Sequence, residues 1–467
     1  MGALLIPARG GPSPKSLIAA ALVALGAIPG AASAPGPAPT PAGVDRAALT
    51  AQVREEMLHA WRGYERYAWG HDELKPVSRT AHDWHEDSFL MTPVDALDTL
   101  LLMGLKDEAA RAQALILERL SFDRDVSVKN FEITIRLLGG LLSAFQATGD
   151  PRLLNLADDL GTRLLPAFSS PTGMPYMFVN LKTGKTSGAK SNPAEIGTLL
   201  LEFGTLAKLT GKPVYYEKAK KALTGLYERR SALGLVGEEI DVETGKWLSP
   251  ASHVGGGIDS YYEYLLKGGL LFGDADCARM WSESLRALNA HLADEAPSGL
   301  WYGEVDMNSG KRAASEFGAL HAFLPGTLAL GGDLEHARRL QESCFAMWQL
   351  RGIEPELLDY RTMRVTSPGY PLRPEIVESA FYLHRFTKDP RYLAMGRTFF
   401  ESLRARCRTD AGYTVLESVD TMKQGDLMPS YFLAETLKYL YLLFSEEPVD
   451  FDRIVFNTEA HPLRRTW

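Results

Sequence analysis

The sequence predicts an all-α protein in which helical hairpins close into a barrel, with small β-hairpins in its loops. From residue 45 onward, apolar residues recur at helical spacing and few stretches alternate as strands do. Three nearly identical turns, at residues 148–153, 210–215 and 387–392, each place Pro where the first turn of a helix tolerates a missing N–H. With intermediate turns at Gly273 and Gly332, the repeat is roughly 60 residues, about one helical hairpin with its loop.

The last helical stretch indicates how the hairpins are arranged. Residues 431–444 are strongly apolar and aromatic, whereas an open stack of hairpins would end in a polar capping repeat. A closed ring is therefore the better interpretation, and it leaves a central cavity whose mouth is lined by short loops. Within those loops, residues 234–247 predict a β-hairpin, because Glu243-Thr244-Gly245 separates apolar pairs.

Composition and charge narrow the class of protein. Hydrophobic residues make up 45% of the 467 residues and charged residues 23%, which is enough for a sizeable core. The net charge of -8 and the shortness of the basic runs argue against nucleic acid as a partner. Cys277, Cys344 and Cys407 lie far apart with no neighbouring His cluster, so no structural zinc site is expected and at most one disulfide can form.

The first 44 residues are typical of export and spacer segments. Residues 1–34 combine basic residues, an apolar stretch too short to cross a bilayer comfortably and the small-x-small pattern Ala32-Ser33-Ala34, which predicts a signal peptide. A membrane anchor retained in the mature protein is the alternative. Residues 35–44 are predicted to form a Pro/Ala-rich linker and residues 45–467 the barrel of helical hairpins, with no later membrane span expected. We expect an exported protein, in the periplasm, the extracellular medium or a secretory lumen.

Acidic residues occupy unusual positions along the predicted helices. Glu132 and Arg136 lie one turn apart on one face of an apolar helix, where a buried ion pair is the structural alternative. Asp259 follows three glycines and could be a helix N-cap. Glu263 repeats the acid one turn later among three tyrosines, and aromatic rings beside carboxylates are what a sugar-binding site uses.

Two further helices carry acids. Glu375 and Glu378 follow Pro374 at a helix N-terminus, where the helix dipole favours carboxylates in any case. Glu435 lies in apolar surroundings, where an unpaired acid is costly. A closed barrel would bring these helix ends together around one cavity. Such a cluster suits glycoside hydrolysis, which needs an acid and a base, and it favours a hard cation such as calcium.

Six longer motifs carry these acids and their neighbours. They are Pro-Val-Asp-Ala-Leu-Asp-Thr-Leu at 93–100, Phe-Glu at 131–132 with Gly-Gly-Leu-Leu-Ser-Ala at 139–144, Asp-Ser-Tyr-Tyr-Glu-Tyr-Leu-Leu-Lys at 259–267, Leu-Arg-Pro-Glu at 372–375, Glu-Thr-Leu-Lys-Tyr at 435–439 and Asn-Thr-Glu-Ala-His at 457–461. Over residues 61–463 the chain resembles the class I α-1,2-mannosidases, glycoside hydrolase family 47. The resemblance implies an (α/α)7 barrel fold. It also implies a calcium-dependent enzyme that hydrolyses terminal α-1,2-linked mannose with inversion, and we expect a monomer. Its substrate would be an oligomannose or mannan-type glycan.

The resemblance also implies a role for each candidate residue. Glu132 is implied as the general acid, acting through a water, and Asp259 or Glu375 as the general base. Calcium is implied at Thr458, held by its carbonyl and hydroxyl oxygens. The other implied residues, which would bind the sugar or calcium-bound waters or balance charge, are Asp95, Arg136, Glu263, Glu356, Arg373, Glu378, Tyr431, Glu435 and Glu459.

Several positions depart from the family pattern. Gly257 replaces an Arg commonly found two residues before the Asp of the third motif, and Ala319 replaces a His of the processing enzymes. Ala322 stands where the family disulfide has a cysteine, so Cys344 lacks that partner. Several of these features, including residues 305–310 and 320–326, are similar to the ER degradation-enhancing mannosidase-like branch and bear on branch preference. The alternatives are a mannose-binding protein without turnover and a helical-toroid hydrolase or lyase of another family.

Overall fold

The helices follow one another as hairpins, as the repeated turns predict. The computed structural model describes residues 43–447 and 449–467. Within these residues the α-helices are α1 Arg46–Tyr67, α2 Met91–Leu102, α3 Lys106–Arg119, α4 Asn130–Ile133, α5 Gly139–Thr148, α6 Pro151–Leu164, α7 Pro193–Gly197, α8 Leu200–Thr210, α9 Val214–Tyr227, α10 Asp259–Phe272, α11 Ala275–His291, α12 Leu324–Leu330, α13 Leu334–Gln349, α14 Glu375–Thr387, α15 Arg391–Arg406 and α16 Leu437–Phe444.

The longer helices of the described part form two concentric rings. The inner ring contains α2, α5, α8, α10, α12, α14 and α16, which are buried over most of their length, and successive members are in contact. The segment that precedes α16 contacts α2 and closes the ring. Each inner helix packs against the outer helix that follows it, and α16 packs against α1. Seven helix pairs therefore surround one axis, which confirms the predicted (α/α)7 barrel.

The repeated turns end one helix and begin the next. Gly149 and Gly211 follow α5 and α8 with positive φ angles of 73° and 72°. Lys388 takes the same position after α14 with φ of 57°, which a side chain adopts less readily than glycine does. Asp150 caps α6, because its carboxylate accepts a hydrogen bond from the backbone N–H of Arg152.

Short antiparallel strands lie in the loops, as predicted. They are β1 Glu73–Lys75, β2 Thr80–His82, β3 Ser127–Lys129, β4 Phe178–Asn180, β5 Thr186–Ser187, β6 Lys190–Ser191, β7 Glu239–Asp241, β8 Trp247–Ser249, β9 Ala251–Ser252, β10 Ala293–Ala296, β11 Gly299–Tyr302, β12 Glu304–Asp306, β13 Arg312–Ala314, β14 Glu316–Gly318, β15 Leu357–Asp359, β16 Arg364–Ser367, β17 Arg408–Thr409, β18 Gly412–Tyr413, β19 Leu416–Ser418, β20 Lys423–Gln424, β21 Ile454–Phe456 and β22 Pro462–Arg464. The hairpin predicted at residues 234–247 is present as β7 and β8, which pair Ile240 with Trp247.

Two π-helical segments interrupt the inner ring, and the sequence periodicity does not predict them. Thr134–Leu138 joins α4 to α5, and Phe432–Thr436 leads into α16. The predicted continuous helix at 431–444 therefore has two parts. A π turn inserts one extra residue into a helix, and such insertions are frequent at functional sites. The first segment contains Arg136 and the second contains Glu435.

Other predictions concern cysteines and the chain outside the barrel. The three cysteines are buried and unpaired within the described residues, so Cys344 lacks a disulfide partner as expected. The predicted signal peptide, residues 1–34, and most of the linker at 35–44 lie outside the described residues. Among the helices that are described, none is long and apolar enough to cross a membrane.

Candidate active site

One cavity opens at the N-terminal ends of the inner helices. Its wall is built from α4, α7, α10, α14, the two π-helical segments and the loop between β21 and β22. Eleven of the thirteen residues predicted for the site line it: Glu132, Arg136, Asp259, Glu263, Arg373, Glu375, Glu378, Tyr431, Glu435, Thr458 and Glu459. Acids from separate hairpins thus meet at one place, as the sequence predicts for a closed barrel.

Glu132 lies in α4 and is held by two cations. Its Oε2 atom accepts hydrogen bonds from Nε and Nη2 of Arg136, at 3.2 and 3.1 Å. The Nζ atom of Lys129 lies 3.7 Å from its Oε1 atom. The ion pair considered from the sequence is present, but the Glu132 side chain stays 23% exposed to the cavity. Ion pairing therefore orients this carboxyl group and leaves it accessible to a ligand.

Asp259 begins α10 directly after a glycine-rich turn. The cap position belongs to Ile258, and the Oδ1 atom of Asp259 accepts from the backbone N–H of Ser260 at 2.7 Å. The N-cap interpretation of Asp259 is therefore wrong. Burial raises the pKa of Asp259 to about 6, and the hydrogen bond from Ser260 opposes that rise.

Glu375 begins α14 after Pro374, and one of its oxygens is free. The Oε2 atom is buried and has no hydrogen-bond partner among the described residues. Burial raises the pKa of Glu375 to about 7, while the Arg373 guanidinium opposes the rise. Arg373 is fixed by Glu356, whose carboxylate accepts at 2.6 and 3.2 Å. A buried carboxylate with a free lone pair can accept a proton from a water or a sugar hydroxyl.

The wall carries more negative than positive groups. In the described residues, eight carboxylates face three cations: Glu132, Glu195, Asp259, Glu263, Glu375, Glu378, Glu435 and Glu459 against Lys129, Arg136 and Arg373. Burial and neighbouring acids raise the pKa of Glu378 to about 8, although the buried Lys267 opposes the shift. Burial and Glu459 raise the pKa of Glu435 well above its ordinary value. This excess of negative charge is what a divalent cation would offset.

Thr458 lies on the wall beside this excess, in the loop between β21 and β22. Its backbone N–H donates to the Tyr264 hydroxyl at 3.3 Å. Within the described residues, no three His, Cys, Asp or Glu side chains are arranged to ligate a metal directly. The oxygen-rich, negatively charged wall suits a hard divalent cation that the carboxylates would reach through water, with Thr458 as the neighbouring residue that would hold it.

Asp95 and Glu356 lie next to the cavity and not on its wall. Asp95 is fully buried and accepts from the Ser430 hydroxyl, while Arg136 lies 3.6 Å and His461 3.3 Å from it. Glu356 supports Arg373 from behind and lines a neighbouring depression with His321. Both residues contact the site through its cations, Arg136 and Arg373, so the structure gives them supporting positions. Their predicted contact with the sugar or with calcium-bound waters stays a prediction.

Some wall residues escape the sequence analysis. Glu195 lies in α7 and pairs with Lys129 at 2.6 Å, and burial raises its pKa to about 7. Asn192 caps α7 by accepting from the Glu195 backbone N–H. Like Glu375, Glu195 is an acid that follows a proline in the first turn of a helix. The same sequence signal could therefore have identified Glu195. Phe131 and Phe323 supply apolar surface, for which the sequence offers no separate signal.

A toroid of helix pairs whose axial cavity gathers carboxylates and an aromatic ring has the groups that a glycoside hydrolase uses. Comparison with known proteins specifies the family. Residues 56–465 match the sequence profile of glycosyl hydrolase family 47. The chain belongs to this family.

Individual relatives agree with the family match. The chain is 39% identical over 446 residues to the endoplasmic reticulum mannosyl-oligosaccharide 1,2-alpha-mannosidase of Rattus norvegicus, covering 88% of this chain and 67% of that one. It is 38% identical over 466 residues to the ER degradation-enhancing alpha-mannosidase-like protein 2 of Homo sapiens, covering 91% and 79%. The solved alpha-1,2-mannosidase from Trichoderma reesei superposes with a TM-score of 0.84 at 28% identity, covering 90% and 99%.

Proposed function

We propose that this protein is a calcium-dependent, inverting exo-α-1,2-mannosidase that removes terminal mannose from oligomannose glycans. The observation that carries the proposal is that Glu132, Asp259, Glu375 and Thr458 line one cavity of a family 47 barrel. The names of the relatives from R. norvegicus and T. reesei support the α-1,2 linkage.

The proposed reaction uses one acid and one base on opposite sides of the scissile bond. Glu132 donates a proton, through a water, to the glycosidic oxygen, and the C1–O bond to the leaving sugar breaks. A second water attacks C1 from the other face and loses its proton to the base, so the mannose leaves with inverted configuration. Arg136 keeps Glu132 oriented, and the Tyr431 ring offers the sugar an aromatic face.

Asp259 and Glu375 are the two candidates for the base, and two variants separate them. Asp259→Ala and Glu375→Ala remove one carboxylate each. Azide attacks C1 without needing to lose a proton, so it should restore turnover only in the variant that lacks the base. The variant that forms β-mannosyl azide identifies the residue that acts as the base. If azide restores turnover in neither variant, neither Asp259 nor Glu375 acts as the base.

Calcium bound at Thr458 would supply positive charge that binds the sugar hydroxyls and offsets the excess of acids. The activity test uses α-1,2-mannobiose, with the α-1,3 and α-1,6 isomers as matched controls. We expect mannose release from the α-1,2 isomer, loss of release with the chelator EGTA and recovery with added calcium. Binding of the disaccharide without any release would instead indicate a mannose-binding protein that has lost turnover.

The proposal extends to the whole chain. Residues 1–34 act as a signal peptide, residues 35–44 as a linker and residues 45–467 as the catalytic barrel, and the enzyme is an exported monomer. The names of two relatives place them in the endoplasmic reticulum, which supports export. Mass spectrometry of the secreted protein should give a new N-terminus near residue 35, and light scattering should give the monomer mass.

A further inference from the structure

A second layer of polar contacts lies behind the Thr458 loop. Asn457 is fully buried, and its side-chain carbonyl accepts from the backbone N–H groups of Glu459 and His461, at 3.0 and 2.8 Å. Its amide donates to the carbonyl of Ile135 at 2.9 Å and to the Oε1 atom of Glu202 at 2.7 Å. Asn457 thus fixes the loop on both sides of Thr458, and each of its polar groups makes two hydrogen bonds.

Glu202 joins the two contacts that hold Thr458. It belongs to α8, is fully buried and does not line the cavity. Its Oε1 atom accepts from the Asn457 amide and also from the Tyr264 hydroxyl, at 2.5 Å. Because the Tyr264 proton goes to Glu202, the Tyr264 oxygen is free to accept from the backbone N–H of Thr458.

We infer that Glu202 is a positioning residue for the calcium site. Through Asn457 and Tyr264, Glu202 fixes the carbonyl and hydroxyl groups of Thr458 that would bind the ion. The inference rests on the calcium ligand proposed above. Partners behind a metal ligand set its orientation, and their loss typically costs about 10–100-fold in metal affinity. Without the Glu202 carboxylate, the Tyr264 hydroxyl loses its acceptor among the described residues and Asn457 loses one of its two.

The test measures calcium affinity directly, by titration calorimetry on chelator-treated, desalted protein. Glu202→Ala should weaken calcium binding by about 10–100-fold. It should also reduce the rise in melting temperature that calcium produces, because the stabilisation by a ligand of the folded state grows with its affinity. Glu202→Gln keeps an acceptor at Oε1 and should bind calcium about as tightly as the wild type.

Two further variants separate positioning from a general loss of stability. Tyr264→Phe removes only the hydroxyl that reaches Thr458, and it should also weaken calcium binding even if Glu202→Ala fails to fold. Glu56→Ala is the matched control: Glu56 is a buried acid in α1 that accepts from Tyr413 at 2.9 Å and from Arg408 at 2.8 Å, away from the cavity. It should lower stability and leave calcium affinity unchanged.

The outcomes distinguish this inference from the proposed function. If folded Glu202→Ala or Tyr264→Phe binds calcium as tightly as the wild type, the positioning role of Glu202 is overturned while the proposed function stands. A wild-type protein that binds no calcium overturns both. Weakened binding in Glu202→Ala and Tyr264→Phe, with normal binding in Glu202→Gln and Glu56→Ala, is the result that we expect.

Discussion

Glu132 combines a fixed orientation with access to the cavity, which is what a general acid needs. Glu132→Gln keeps the shape of the side chain and removes the transferable proton. We expect kcat to fall by about 10²–10⁴-fold while substrate still binds. Steady-state kinetics and calorimetry with α-1,2-mannobiose check both parts. Glu401→Gln, an exposed acid on α15, is the matched control and should behave as the wild type. Normal turnover in Glu132→Gln would refute the assignment.

His461 links the Thr458 hairpin to the inner ring. Its Nδ1 atom lies 2.7 Å from Asp98 and its Nε2 atom 3.3 Å from Asp95. Burial disfavours the charged imidazole, but these two carboxylates outweigh burial and raise its pKa to about 9. The buried His461 is therefore a cation at neutral pH.

That raised pKa predicts how stability depends on pH. Because the folded pKa lies above the unfolded one, this stabilisation is complete below the unfolded pKa of about 6.5 and is lost as pH rises through 9. The contribution amounts to about 3 kcal/mol at most. Urea unfolding of the wild type and of His461→Gln at pH 6, 7.5 and 9.5 should show their difference shrinking as pH rises. A constant difference would contradict a charged His461.

At the scale of residues, the sequence predicts which side chains belong to the site better than it predicts where each of them lies. The sequence identifies acids at helix starts, such as Glu375, because a polar residue in an apolar pattern stands out. It cannot show that Asp95 lies behind Arg136, since depth from the cavity depends on how helices rotate when they pack. Without the resemblance to family 47, Thr458 would be an ordinary loop residue. Its proposed role depends on charges contributed by other hairpins.

At the scale of elements, the first π-helical segment brings the inner ring close to the Thr458 loop. A Cβ atom on Gly139 would lie 2.6 Å from the amide nitrogen of Asn457 and 3.0 Å from the His461 ring. Asn457 cannot give way without losing hydrogen bonds. The helix and the loop therefore meet so closely at Gly139 that a larger residue must displace the Asn457 or His461 side chain.

This contact yields a prediction with a matched control. Gly139→Ala should destabilise the protein by about 1–3 kcal/mol through overpacking. A Cβ atom on Gly225 in α9 would have its nearest neighbour, an Arg229 nitrogen, at 3.6 Å, so Gly225→Ala has room. It should stabilise the helix by up to about 1 kcal/mol, since alanine is the better helix former. Equal effects of the two substitutions in thermal unfolding would contradict the close contact.

The elements also show what a sequence pattern can and cannot predict. Turns such as Gly149-Asp150-Pro151 are local, because the φ angle, the cap and the missing N–H are properties of neighbouring residues. The π-helical segments are not predictable in this way. Their extra residue leaves the apolar pattern of 134–138 and 432–436 intact, and the first segment is held by a distant group, Asn457.

At the scale of the whole molecule, the ring closes where the two ends of the barrel meet. Arg46, the first residue of α1, donates to the carbonyls of Phe444 at 3.0 Å and Ser445 at 2.6 Å, which satisfies the C-terminal end of α16. The apolar character of 431–444 predicts that this helix is covered. Its partner could not be predicted, because the two helices are far apart in the chain, as the separation of 398 residues between Arg46 and Phe444 shows.

Closure predicts that α1 contributes strongly to stability. Trp61 is fully buried on α1 and packs against Tyr64 and Trp69. Trp61→Ala should lower the free energy of unfolding by about 3–5 kcal/mol. Trp467, which is 38% exposed, offers the control, and Trp467→Ala should have a small effect. Urea unfolding measures both, and a small effect of Trp61→Ala would contradict the tight packing of Trp61 in the core.

The barrel brings acids from separate hairpins to one cavity, and the proposed mechanism requires them to act from opposite faces of the bound mannose. Proton NMR during hydrolysis of α-1,2-mannobiose is the decisive measurement, because the first mannose released reports the face that water attacks. Inverting hydrolysis predicts that β-mannose appears first and converts to α-mannose afterwards by mutarotation. Initial appearance of α-mannose would show that the acids do not act in this way.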